Sequence, residues 1–144
     1  MNFKPDWVIH YVQDHDCDIC GKHNKSNKHS DTFDYIANVH THGLDKYGHP
    51  EICIVLDIGG VAAADVLNSI GYRIAHKNEI FTEGCYTDVL ANNYICKFVK
   101  IGNDDKILYL ILPDANNHFP DDDECNSPYD KQMIYAKAIH HNEY

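Results

Sequence analysis

The sequence predicts an α+β domain, with a mixed or antiparallel sheet of about four to five strands packed against about two to three helices. Three observations predict it. The apolar periodicity changes along the chain in the order helix, strand, strand, helix, strand, strand, helix. The run Glu51-Ile-Cys-Ile-Val-Leu-Asp57 is nearly all apolar and β-branched, the composition of a strand buried on both faces. With 144 residues, 44% hydrophobic and 24% charged, the chain can fill one core and reads as a single domain. Residues 1–32 supply a helix and a Cys/His-rich loop, and residues 33–144 the α+β core.

Pro5 to Gln13 is expected to be a short helix: Pro suits the first turn, and Trp7, Val8, Tyr11 and Val12 fall on one helical face. Asp14 to Asp31 is polar and reads as a long loop that a bound metal would tie down. Phe33 to Thr41 and Glu51 to Asp57 are expected strands. Asp57-Ile58-Gly59-Gly60 is a turn. Val61 to Lys77 follows as a helix, with Val61, Ala64, Leu67, Ile70 and Ile74 at helical spacing and Gly71 as a candidate interruption. Tyr94 to Ile101 and Ile107 to Leu112 are strands joined by the turn Gly102-Asn103-Asp104-Asp105. Pro113 to Asn126 is an acidic loop, and Tyr129 to His141 a terminal helix.

Charge narrows the partners. Twelve basic against 22 acidic residues leave a formal net charge of −10, which repels phosphate backbones and disfavours nucleic acid. Only Lys22 to Lys28 hints at a basic patch. No apolar run approaches the roughly 20 residues that span a bilayer. Met1 to Trp7 lacks a signal-peptide core, so the cytosol is the expected location. There, the six cysteines read as thiols or metal ligands rather than disulfides.

Two clusters carry candidate chemistry. His40-Thr41-His42-Gly43-Leu44 and His49-Pro50-Glu51 put three histidines and a carboxylate within twelve residues. On a strand, His40 and His42 face the same side and can share one metal ion. Pro50 at a strand start would hold His49 and Glu51 on one side, as an acid/base pair for catalysis. Upstream, Cys17-Asp-Ile-Cys20-Gly21-Lys22 has the form of half a zinc knuckle, with His23, His29, His40, His42 and Cys125 as candidate completing ligands. Against these stand plainer roles: surface thiols in a loop, hydrogen-bonded histidines at a sheet edge and a hydrogen-bonded turn.

The remaining motifs carry less. Val55 to Gly60 has a Gly-rich strand-to-helix turn, but a third glycine is missing and a tight turn explains it. Asp121 to Glu124 lacks the calcium-loop pattern and reads as a solvated run. Cys53, Cys85 and Cys96 read as small core residues in or near strands. No Gly-x-Ser-x-Gly turn supports a serine hydrolase.

From Tyr35 to about Gln132 the chain resembles a family of small bacterial domains of unknown function. The resemblance rests on Thr41-x-Gly43-Leu44, Gly48-His49-Pro50-Glu51, Leu67-Asn68, Glu83-Gly84, Leu112-Pro113-Asp114 and Phe119-Pro120. Many members carry Tyr-Thr-x-Gly-Leu where this chain has His40-Thr41-His42-Gly43-Leu44. The resemblance therefore implies that a metal at the His pair belongs to a subgroup, and that His49 and Glu51 are the shared functional positions. It implies no activity.

Two functions remain open on the sequence. One is a zinc-binding domain, either structural through Cys17 and Cys20 or hydrolytic through His40 and His42 with His49 or Glu51 handling protons. The other is a non-catalytic acidic module of the immunity or regulatory kind, masking a basic protein partner through the loop from Asp114 to Glu124.

Overall fold

The computed structural model describes residues 5–11 and 35–141. They form one open mixed sheet of six strands in the order β1-β2-β3-β6-β5-β4. The strands are β1 (Val8–Tyr11), β2 (Ile36–His42), β3 (Glu51–Leu56), β4 (Gly84–Tyr86), β5 (Cys96–Val99) and β6 (Ile107–Ile111). The helices are α1 (Gly60–Lys77) and α2 (Gln132–His141). No helix among the described residues is long and apolar enough to cross a membrane.

β3 and β6 lie side by side and parallel, whereas every other neighbouring pair is antiparallel. A parallel pair needs a long crossover, which α1, β4 and β5 supply here. Ile52, Cys53, Ile54 and Val55 are fully buried, as a β-branched run between two covered faces should be.

Strand alternation assigns the faces. Tyr11 is opposite Val39, and its hydroxyl donates to the Gly60 carbonyl at the start of α1 (2.7 Å). His10, one residue back and on the other face, is opposite His40. His40 is opposite Cys53, and Cys53 opposite Tyr109. The Tyr109 hydroxyl lies 3.0 Å from Nδ1 of His140 on α2. The two helices therefore cover opposite faces.

Three expectations are corrected. Residues from Pro5 form no helix: Val8–Tyr11 is an edge strand, and Val12 and Gln13 lie outside the described residues. The apolar spacing there fits period two as well as period 3.6, and the open edge of β2 supplies hydrogen bonds that only a strand can use. β4 was not anticipated at all; it is three residues long and exists through its pairing with β5. These two strands raise the sheet from four or five to six. Cys85, expected in the core, is exposed on β4, while Cys53 and Cys96 are buried.

Gly71 does not interrupt α1, which runs unbroken through it. Its function is packing. A Cβ at Gly71 would lie 2.4 Å from Cζ2 of Trp7. The indole is held in place: its Nε1 donates to Asn68 Oδ1 (2.9 Å), and Gly43 runs so close that a Cβ there would lie 3.0 Å from the Cα of Trp7. Gly71→Ala is therefore expected to destabilise the fold by about 1–3 kcal/mol from overpacking, outweighing a helix-propensity gain of about 1 kcal/mol. Chemical denaturation followed by Trp7 fluorescence measures the sign.

Candidate metal centre

Residues two apart on a strand share a face, so β2 presents His40 and His42 together. The antiparallel register of β1 then sets His10 opposite His40. The result is a cluster of three imidazoles, each offering one nitrogen, with these atoms all within 4.8 Å of one another. Nε2 of His40 and Nε2 of His42 are 3.2 Å apart. The His42 ring stands edge-on to both neighbours, with centroids 4.6 Å from His10 and 4.8 Å from His40. His40 is buried, while His10 and His42 are half-buried and open one side of the cluster.

The spacing bears on chemistry. Two nitrogens bound to one zinc at about 2.0–2.1 Å, at the tetrahedral angle, lie about 3.3–3.4 Å apart. The His40–His42 separation of 3.2 Å is close to this. It is equally a long N–H···N hydrogen bond, the plainer role for such a pair.

Asn38 stands behind His40. Its Oδ1 is 2.8 Å from His40 Nδ1 and 3.5 Å from the Cys53 thiol, which donates to it. A carbonyl oxygen can only accept, so this contact is a hydrogen bond in the tautomer with the proton on Nδ1, which leaves the Nε2 lone pair on the side of His42. Asn38 is itself buried, and its Nδ2 has no hydrogen-bond partner among the described residues. An unmatched buried amide costs about 1–3 kcal/mol.

His49 and Glu51 are spent on the backbone beside the cluster. His49 is buried; its Nδ1 donates to the Pro50 carbonyl (2.8 Å) and its Nε2 accepts the Phe81 N–H (2.9 Å). Burial lowers its pKa, so the neutral ring that these two bonds require is the favoured one. Phe81 is also held from its ring face by the Arg73 guanidinium at 5.0 Å.

Glu51 collects four donors. Its carboxylate accepts from the Thr41 hydroxyl (2.8 Å) and from the N–H groups of Gly43 (3.1 Å), Leu44 (3.1 Å) and Asp45 (3.4 Å). It thereby caps the 3-10 turn Leu44–Tyr47, whose ends need left-handed backbone at Gly43 (φ 120°) and Gly48 (φ 72°). Thr41 in turn accepts the Ile52 N–H (3.0 Å). The segments Thr41-x-Gly43-Leu44 and Gly48-His49-Pro50-Glu51 thus form one clamp between β2 and β3. In this geometry neither His49 nor Glu51 offers an uncommitted group to a substrate.

The other candidates separate. Cys17, Cys20, His23 and His29 lie outside the described residues. Cys125 sits in the loop after β6, its thiol 3.4 Å from the His118 carbonyl. Burial, and then the Asp114 charge, push that thiol up to about 11. It does not belong to the histidine cluster. Asp114 is buried, and its carboxylate accepts the N–H groups of Asn116 (2.8 Å), His118 (2.9 Å) and Asn126 (2.9 Å). Burial would raise its pKa, but these N–H groups and His118 overcome that and hold it at about 2. The turn at Asp57 to Gly60 is a tight one, with Asp57 Oδ1 accepting the Gly59 N–H (3.1 Å). His10 is the site residue that sequence reasoning missed. Its signal was the alternation Val8-x-His10, hidden once the segment was read as helical.

Two outcomes are expected. Glu51→Gln costs about 2–3 kcal/mol of stability, because an amide NH2 faces N–H donors that had a charged acceptor. Chemical denaturation measures it. Because the Asp114 pKa falls from 3.8 to about 2 on folding, its stabilisation is complete above about pH 4 and is lost as pH drops toward 2. Asp114→Asn should flatten the stability-versus-pH slope in that window, as read by acid unfolding. No family model, curated protein or solved structure matches this chain.

Proposed function

We propose that the protein binds one divalent transition metal ion, zinc first, through His10, His40 and His42. The observation that carries this reading is the meeting of three imidazole nitrogens within 4.8 Å, on two strands whose register fixes them. An all-nitrogen set suits zinc, copper or nickel over magnesium or calcium, which prefer oxygen. The net charge of −10 favours arrival of a cation. An ion here would also pin the edge strand β1 to β2, coupling metal binding to stability.

Three imidazoles leave a fourth position on a tetrahedral ion. Filled by water, it gives the arrangement of catalytic zinc, and a hydrolase becomes the reading. Filled by a thiolate such as Cys17 or Cys20, it gives a closed structural centre. The hydrolytic form would need a proton carrier other than His49, which bonds Pro50 and Phe81, and Glu51, which caps the turn. A second reading, an acidic module for a basic protein partner, draws on the exposed run Asp121 to Glu124. Asp114 contributes nothing to that run, being turned inward on its own loop.

The test is metal content per chain after zinc loading and dialysis, on protein without a His tag. Wild type is expected to hold about one zinc and to melt higher with it. His10→Ala, His40→Ala and His42→Ala should each lose it. Retention in Cys17→Ser and Cys20→Ser marks the open centre, and loss there marks the closed one. Wild type that holds no zinc overturns the metal reading and leaves the acidic module.

A further inference from the structure

We infer that Asn38 is the positioning residue of this centre: by accepting the Nδ1 proton of His40, it turns the Nε2 lone pair toward His42 and His10. The inference rests on the metal reading above and names the residue that makes His40 a ligand.

A neutral imidazole has one proton and one lone pair, and a metal needs the lone pair. The Asn38 oxygen, 2.8 Å from Nδ1, draws the proton to that side. Were the amide turned over, its NH2 would face Nδ1 and demand the lone pair there. The proton would move to Nε2, and His40 could no longer bind an ion beside His42. The Cys53 thiol lies 3.5 Å from the same oxygen, and its single hydrogen also has the Ile54 carbonyl within reach at 3.7 Å. The amide nitrogen finds no partner among the described residues, and the contacts of the side chain run through its oxygen. A leucine of similar size would pack in the same buried space without that nitrogen. Asparagine stands at a site where its acceptor is the atom in contact with the ring. Histidine ligands in metal centres depend on such an acceptor behind the ring, which fixes both tautomer and orientation.

The test has one readout that needs no metal. Long-range 1H–15N correlation spectra of the metal-free protein, recorded at about pH 8.5 where imidazole is neutral, report the tautomer of His40. Wild type should show the Nδ1–H form, and Asn38→Leu should lose that preference. Zinc affinity, measured by competition with a chromophoric chelator, should fall about 10–100-fold in Asn38→Leu. Asn38→Asp, whose carboxylate accepts the same proton, should retain or exceed wild-type affinity. An Nε2–H His40 in wild type overturns the inference without any variant. Unchanged zinc affinity in a folded Asn38→Leu protein overturns it as well. Wild type with the Nδ1–H form but no zinc binding overturns the metal reading, and with it the ligand-positioning role.

Discussion

The Glu51 carboxylate is the constraint on which the arrangement of this protein depends. It gathers one hydroxyl and three backbone N–H groups from Thr41 to Asp45. Charged acceptors make the stronger hydrogen bonds, and four donors on one carboxylate hold a turn that has little apolar burial of its own beyond Leu44. Fixing this turn fixes how β2 returns into β3. A one-residue slip of β2 would send His40 and His42 to the α1 face and bring Thr41 to the α2 face. The clamp therefore bears on where the imidazoles of His40 and His42 point.

The two faces of the sheet are built on different physics. Toward α1 the contacts are apolar and close, with Trp7 lying on Gly71 and anchored at Asn68. Toward α2 a polar row crosses the sheet from His10 to His40, Cys53 and Tyr109, ending at His140. Burial raises the Tyr109 pKa far above the usual range, so this row carries a neutral phenol. Buried polar groups of this kind are stable only when their hydrogen bonds are satisfied in a definite pattern. The orientation of the Asn38 amide is one link of that pattern, joining His40 to Cys53.

The candidate site was half legible. His40 and His42 could be placed together because strand alternation is a local rule. His10 could not, because the same segment offers Trp7, Val8 and Tyr11 at helical spacing and Trp7, Ile9 and Tyr11 at strand spacing. His49 and Glu51 could be recognised as titratable groups beside a turn. That their atoms go to Phe81, Pro50 and the N–H groups of residues 43–45 depends on contacts up to 32 positions away. A histidine and a glutamate near a glycine look the same in sequence whether they serve a substrate or a backbone.

What the sequence by itself determined is the identity of the long, strongly patterned elements. β3, α1, β6 and α2 follow from composition and periodicity, which act between near neighbours. The tertiary structure alone decided that β1 is a strand and that β4 exists. It also decided that β6 lies parallel to β3, and that a third imidazole joins the pair on β2. The physical reason is common to all four. Sheet hydrogen bonds are made to another strand, so a short segment takes its conformation from the edge it meets and not from its own residues.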